Sequence, residues 1–332
     1  DNDDNGYVDD IIGWDLAGEW GAGDNDPLPK TGVNNDSGWA HGTHVAGILS
    51  ATTDNELGMA SSAFNGKILS VKCSQDGPDT DDPSIYNGYD GMTYAAKAGF
   101  SSGLRTIINN SWGSSNYSSS EQAAINNIYN NYNAIILAAA GNGTENPNNE
   151  EYAAHYPASY DNVISVCALK CTGSWGGWAT YHPTIDLAAP GDNIYSTVLS
   201  ESLYWNMNEN SPIYKTWDGS SMASPNAASV MALVWSYHNA MTKEEIIDLV
   251  QLTADSSIYD LNPDYANCNG NEGEYCLGSG MVDAHKAIGR GFSPNIQAGS
   301  FIFDEIIGDN DGIINPGETG HLTINLKNMP GW

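Results

Sequence analysis

The sequence predicts an α/β protein in which helices cover both faces of a parallel sheet. Two observations support this fold class. Short runs such as Ala134–Ala139 are apolar at every position, which is typical of strands buried on both faces. These runs alternate along the chain with segments of helical periodicity, and regular strand–helix alternation favours parallel pairing.

Four apolar runs have the length of buried strands: Lys67–Lys72, Thr106–Asn109, Ala134–Ala139 and Val163–Ala168. Helical periodicity marks Ser84–Ala98, Ser119–Asn131 and a segment that ends near Thr253. Thr242 and Glu245 have the spacing of a capping box, so the last of these helices should begin there. From Asn193 to Trp217 the pattern changes to short strands and turns, which predicts hairpins at the edge of the sheet.

The chain divides into two parts near residue 292. The helical pattern stops around Gly289–Ser300, and Phe301–Trp332 alternates apolar and polar residues. We therefore expect an α/β domain over residues 1–292 and the start of a β-sandwich-like domain over residues 293–332. Because the second part is too short to fold alone, we expect the natural protein to continue beyond it.

Composition narrows the function classes. The 332 residues carry 11 Lys and Arg against 41 Asp and Glu, a formal net charge of −30, which disfavours nucleic acid and anionic membranes as partners. Apolar runs are shorter than the roughly 20 residues that a membrane span needs. Among five cysteines, Cys268 and Cys276 flank a loop rich in Asn and Gly, which favours a local disulfide and an oxidising compartment.

Three short motifs combine residue types that carry chemistry. His41 opens the run His-Gly-Thr-His-Val-Ala-Gly, and Ser221 lies in Gly-Ser-Ser-Met-Ala-Ser-Pro, where a loop turns into a helix. Asn142 follows the apolar strand that ends in three alanines, at the sheet edge where α/β proteins bind ligands. Each motif alone has a structural explanation: a packed histidine, a helix N-cap or a turn residue. Their combination in this order favours catalysis.

These motifs resemble the subtilisin-like serine protease family, peptidase S8. The histidine segment resembles the family's histidine motif, and Gly219–Pro225 resembles GTSMASP with Ser220 in place of Thr. Further similar segments are Ala138–Asn142, Asn109–Gly113, Tyr156-Pro157 with Val163–Val166, and Ala189-Pro190-Gly191. The resemblance covers residues 1 to about 290 and implies a parallel sheet flanked by helices.

By this resemblance, His41 is the general base and Ser221 is the nucleophile of a secreted endopeptidase that acts on polypeptides, without an organic cofactor. Asn142 would donate its amide to the oxyanion, together with the Ser221 backbone N–H. His44 would be structural. We expect a monomer.

One part of the family pattern is missing. The family's aspartate lies in a D-T-G or D-S-G strand some tens of residues before the histidine. Here the only such triplet is Asp36-Ser37-Gly38, five residues before His41, which is too close to form a separate strand. We therefore expect the triad aspartate to precede residue 1, and we name no catalytic Asp within the chain.

The resemblance also implies substrate-binding residues. The walls of the primary specificity pocket would come from two segments, with His155 at its floor: Ser111, Trp112, Gly113, Ala139, Ala140 and Gly141. A histidine at the floor would favour an acidic or polar side chain before the scissile bond, or would simply fill space.

Two acidic loops have the alternating oxygen ligands of calcium sites. The first contains Asp1, Asp3, Asn5 and Asp9, but its twelfth position is Ile12, so it is not a complete EF-hand. The second contains Asp309, Asp311, Asn315 and Glu318. Either loop is equally consistent with ordinary Asx turns.

Two other classes of protein would share part of this pattern of motifs. A catalytically inactive module with the same fold would be expected to have lost one of His41, Ser221 and Asn142, and all three are present. A lipase or esterase would place a G-x-S-x-G serine before its histidine, whereas here the histidine comes first.

Overall fold

A four-stranded parallel sheet carries most of the buried core in the computed structural model. The structure describes residues 5–30, 36–77, 83–143, 152–199, 213–266, 276–290, 296–307 and 319–328. The strands are β1 Gly13–Asp15, β2 Ser70–Lys72, β3 Thr106–Asn110, β4 Ala134–Ala139, β5 Ile164–Leu169, β6 Leu187–Pro190, β7 Ile194–Thr197, β8 Tyr214–Trp217, β9 Ile296–Ile307 and β10 Thr319–Asn328. The helices are α1 Asp36–Ser50, α2 Gly88–Ser101, α3 Ser119–Asn131, α4 Ser220–Tyr237, α5 Lys243–Thr253, α6 Ile258–Leu261 and α7 Ala284–Arg290.

The central sheet has the order β3-β4-β5-β6, and all its neighbouring strands are parallel. Every residue of β4 and β5 is buried. Alternate residues of β4 enter different apolar clusters: Ile135 and Leu137 pack with α4, while Ile136 packs with residues of α2 and α3. This alternation follows from the pleat of a strand, so the predicted helix-covered parallel sheet is confirmed.

Helix α4 crosses the sheet and contacts all four of its strands. Twelve of its residues are buried, including small residues such as Ala223 and Ala227 that let the helix approach the strands closely. A helix that is apolar on all sides is stable only inside a core. The position of its first residues is therefore fixed by the packing of the whole helix.

The parallel pair of β1 and β2 forms a separate sheet. At its carboxyl end the buried Asp15 accepts hydrogen bonds from Ala17 N at 2.9 Å and Gly18 N at 2.8 Å, and it forms an ion pair with Lys72. Lys72 also contacts Asp76 at 2.8 Å. A buried charge pair needs such additional hydrogen bonds to offset the desolvation of its charges. Asp15 therefore has a structural role.

Most of the predicted elements are confirmed with shifted ends. Helix α3 matches Ser119–Asn131, and Thr242 with Glu245 forms the predicted capping box of α5. Helix α2 begins at Gly88 rather than Ser84, and β2 is limited to the three residues that pair with β1. Asp36 opens helix α1, so the D-S-G triplet is not a strand.

The C-terminal strands β9 and β10 pair antiparallel, as the alternating pattern predicts. The division at residue 292 and the β-sandwich remain predictions. Cys276 is disulfide-bonded, whereas Cys73, Cys167 and Cys171 are free. The predicted partner of Cys276, Cys268, lies outside the described residues. None of the helices in the described ranges is both long and apolar enough to cross a lipid bilayer.

Asp186 should make stability depend on pH. Burial raises its pKa to about 6 from 3.8, although its carboxylate accepts hydrogen bonds from Ser165 N and Gln251 Nε2. The folded state therefore binds the proton more tightly, and this contribution to stability is lost as pH rises from about 4 through 6. Its ionisation then opposes folding by about 3 kcal/mol at most.

We expect Asp186→Asn to raise the melting temperature at pH 8 by a few degrees, because the amide keeps an acceptor for Ser165 N. The gain should shrink as pH falls towards 4. Melting curves across this range test it, with Asp161→Asn, an exposed position, as a control for the same change in net charge. An equal gain at all pH values would contradict the assignment.

Candidate active site

Ser221 occupies the first turn of the buried helix α4. Its hydroxyl lies 3.3 Å from the carbonyl oxygen of Ser111, and its own carbonyl accepts a hydrogen bond from Ser111 Oγ at 2.8 Å. Pro225 explains why that carbonyl is available, since proline has no N–H to donate to the residue four positions earlier. A second bond, from Ser224 Oγ to Asn109 Oδ1 at 2.7 Å, also ties the helix to the end of β3.

Asn142 lies three residues beyond β4, beside the same helix end. Its Oδ1 accepts hydrogen bonds from the backbone N of Ser220 at 2.9 Å and from Ser220 Oγ at 3.0 Å. Ser220 Oγ in turn accepts from Gly141 N at 3.1 Å. Because Oδ1 is held in this way, the direction of the Asn142 amide N–H₂ group is fixed.

Two N–H donors border one point next to Ser221. A methyl group built on Gly219 would lie 3.6 Å from Asn142 Nδ2 and 3.6 Å from the backbone N of Ser221. The Ser221 N–H belongs to the first helical turn, where backbone donors have no partner within the helix. Paired N–H donors are the kind of group that stabilises a developing oxyanion.

His41 lies in the second turn of α1, which packs against α4. Burial lowers its pKa, and the neighbouring His44 lowers it further. The imidazole is therefore neutral near pH 7, as a general base requires. Among the residues that the structure describes, His41 forms no hydrogen bond with Ser221 or with a carboxylate.

His44 is buried, and its Nε2 lies 3.0 Å from the carbonyl oxygen of Lys215. Its ring also stacks on Trp217. These contacts give His44 a packing position inside the protein, as expected for a structural histidine.

The two predicted pocket walls meet around His155. A side chain carbon built on Gly141 would lie 2.6 Å from the His155 ring, and one built on Gly113 would lie 3.4 Å from its Nδ1. Only glycine therefore fits at Gly141 without displacing the imidazole. Ala139 and Ala140, from the same predicted wall, are buried, and their part in the pocket stays a prediction. The Trp112 ring packs edge-on against Tyr89, with centroids 5.3 Å apart.

The predicted calcium ligands are only partly described. Asn5 Oδ1 accepts from Tyr7 N at 2.8 Å, and its Nδ2 donates to Asp10 Oδ2 at 2.9 Å. Asp9 is exposed, with φ of 61°. In the described ranges no three His, Cys, Asp or Glu side chains converge as metal ligands. Six predicted ligands lie outside the described residues: Asp1, Asp3, Asp309, Asp311, Asn315 and Glu318.

Sequence reasoning missed the residues that hold the site together. In the sequence, Ser220 is only a replacement for Thr in the serine motif, whereas in the structure its hydroxyl bridges Gly141 N and Asn142. Trp217 was assigned to a hairpin, yet its ring lies beside both histidines. The proline four residues after Ser221 was the one available signal, because it leaves a helical carbonyl without its usual donor.

The fold and this site define the class of protein. A family model of the subtilase family, peptidase S8, matches residues 16–280. The chain therefore belongs to the subtilase family of serine peptidases.

Individual relatives agree with this class. The chain is 33% identical to thermitase of Thermoactinomyces vulgaris over 67% of its length and 70% of thermitase. It is 32% identical to an extracellular protease of Xanthomonas campestris and 30% identical to fervidolysin of Fervidobacterium pennivorans. These matches cover 73% and 91% of the chain, but only 39% and 41% of those relatives.

Solved structures show the same fold. A protease from Pseudoalteromonas arctica is 27% identical, with a TM-score of 0.65 and 83% of each chain covered. A psychrophilic subtilisin-like protease from an Antarctic Pseudoalteromonas is 19% identical, with a TM-score of 0.55 over 77% of this chain and 84% of that chain, and it supports the fold alone.

Ser220→Ala should weaken the site without disturbing the fold. It removes one of the two donors to Asn142 Oδ1 and the acceptor of Gly141 N. We expect peptide-hydrolysis kcat to fall ~3–10-fold with little change in KM, which corresponds to one ordinary hydrogen bond. Ser220→Thr should retain activity. Ser229→Ala is a matched control, since that hydroxyl caps a carbonyl further along the same helix. Equal kcat for Ser220→Ala and the parent protein would contradict this role.

Proposed function

We propose that the protein is a secreted serine endopeptidase that cleaves polypeptides through an acyl-enzyme on Ser221. The observation that supports this most strongly is that two N–H donors, Asn142 Nδ2 and the Ser221 backbone N, lie at equal distances from one point at the start of α4. Two amide donors next to a serine suit acyl transfer, in which the developing oxyanion needs such donors. Relatives named extracellular protease support the secreted location.

The reaction follows from the proposed roles. His41 takes the proton of Ser221 as Oγ bonds to the substrate carbonyl carbon, and the carbonyl oxygen becomes an oxyanion held by the two donors. The C–N bond then breaks, and His41 returns the proton to the leaving amine. Water, deprotonated by His41, attacks the acyl-enzyme, and Ser221 regains its proton when the acid leaves.

A carboxylate must still orient the His41 imidazole, and we propose that residues outside the described ranges supply it. Asp15 is committed to Lys72, and Asp36 lies in the same helix as His41. Helix α2 packs against both β2 and β3, which in the described part of the chain belong to separate sheets. A parallel strand between them would join the sheets and end at the edge where Asn142 lies.

His155 is the proposed floor of the primary specificity pocket. Its imidazole lies against Gly113 and Gly141, one from each proposed wall. A ring at this depth shortens the pocket and adds a polar surface, so the proposal favours a short polar or acidic side chain before the scissile bond.

Ser221 should be the single residue that a serine-directed reagent modifies. We expect a fluorophosphonate or sulfonyl fluoride to abolish peptidase activity in step with incorporation of one label, which mass spectrometry locates on Ser221. Ser221→Ala should be inactive and unlabelled, and Ser224→Ala, a hydroxyl one turn further along, should still be labelled. Labelling elsewhere, or activity in Ser221→Ala, would reject the proposed function.

Replacing Asn142, the proposed oxyanion donor, tests the same proposed function in a second way. Asn142→Leu should lower kcat by ~10²–10³-fold, a magnitude measured in subtilisin, a member of this family. KM should change little, because the donor acts on the charge that develops in the transition state. A loss in KM alone would mean that Asn142 binds substrate rather than the oxyanion.

Calcium is proposed as a structural ligand of the acidic loops. A cation that binds only the native state raises stability by mass action. We expect millimolar Ca²⁺ to raise the melting temperature over that in excess chelator, and equimolar Mg²⁺ to do so less, because Ca²⁺ accepts more oxygen ligands in a less strict geometry than Mg²⁺ does. Identical melting curves in Ca²⁺ and chelator would reject both sites.

A further inference from the structure

The hairpin of β7 and β8 is hydrogen-bonded to α1, the helix that carries His41. Ser196 Oγ donates to the carbonyl of His44 at 2.7 Å, and Thr197 Oγ1 donates to that of Thr43 at 2.9 Å. From the other strand, the Lys215 carbonyl lies 3.0 Å from His44 Nε2. Three side chain–backbone hydrogen bonds thus fix the first half of α1 to the hairpin. A carbon built on Gly47 would lie only 2.3 Å from Thr197 Oγ1, so the two elements are in close contact.

The last residue of this hairpin, Trp217, presents its ring to both histidines of α1. The Trp217 and His44 rings are stacked, with centroids 4.5 Å apart and planes 20° from parallel. The His41 ring is also nearly parallel to the indole, at 18°, with centroids 6.4 Å apart. Both separations fall in the range of offset-stacked aromatic pairs.

Packing of the core does not account for this position. Trp217 is half-buried, and it belongs to neither of the two apolar clusters that flank the sheet. Its stacking partners are the two imidazoles. Because Trp217 lies only two residues before Gly219, the same short segment carries both this ring and the Ser221 loop.

We propose that Trp217 is a positioning residue for the proposed peptidase reaction. The indole face packs against the His44 ring. The His41 ring is also nearly parallel to the indole, and this stacking fixes the plane of the His41 imidazole relative to Ser221. The orientation of the imidazole matters when the Ser221 proton is transferred, which predicts a loss in kcat rather than in KM when the Trp217 ring is removed.

The decisive experiment compares Trp217→Phe with Trp217→Met in the full-length protein. Phe keeps an aromatic face, whereas Met supplies a flexible apolar chain without one. With a chromogenic peptide amide, we expect Trp217→Met to lower kcat ~5–20-fold with KM changed less than ~2-fold. Trp217→Phe should stay within ~3-fold of the parent kcat. Melting curves establish that each variant is folded.

Tyr195→Leu is the matched control in the same hairpin. Tyr195 stacks on Tyr214, with centroids 5.3 Å apart, and is 49% exposed, so its removal disturbs the hairpin without removing a ring from the histidines. Its kcat should equal the parent value.

The outcomes separate this inference from the proposed function on which it rests. Equal kcat for the Phe and Met variants, a loss confined to KM, or the same loss in Tyr195→Leu would each overturn the role of Trp217. Activity in Ser221→Ala would instead overturn the proposed function itself. If Trp217→Met does not fold, Trp217→Leu replaces it under the same criteria. A kcat of Trp217→Phe at or below ~5% of the parent value overturns the role of Trp217 by itself.

Discussion

The burial of helix α4 is the constraint on which the site depends. The helix touches every strand of the central sheet, and its small residues leave little freedom to slide or rotate in a close-packed interior. Its first turn therefore stands at a fixed place beside the ends of β3 and β4. The proposed nucleophile, Ser221, is therefore positioned by packing of α4 against the whole central sheet, at no added cost in loop entropy.

Polar contacts then convert this coarse position into a defined geometry. Pro225 removes one helical donor, and Ser111 supplies a replacement that joins the helix to the segment after β3. Ser220 does the same towards the segment after β4 by bridging Gly141 and Asn142. Each bridge satisfies a backbone group that would otherwise be buried without a partner, so stability and site geometry rest on the same hydrogen bonds.

The sequence was informative where structure is local. The apolar runs and the capping box of α5 each depend on residues close together in the chain, and these predictions were confirmed or shifted by a few residues. The hydrogen bonds from Ser111 to Ser221 and from Ser224 to Asn109 join positions more than 100 residues apart. No spacing rule anticipates such pairs.

His41 is held less directly than Ser221, because its helix does not cross the central sheet. The hairpin of β7 and β8 therefore matters for the position of His41. Helix α1 packs against α4 and β7, and among the described residues no carboxylate bonds to the His41 ring. The hydrogen bonds from Ser196 and Thr197 fix the backbone of α1, but a backbone contact does not set the rotation of an imidazole about its side chain bonds. A flat surface beside the ring does, and Trp217 provides one on the segment that leads into the nucleophile loop. His41 and Ser221, the proposed base and nucleophile, lie on different helices, yet the short segment 217–221 stacks on one and contains the other.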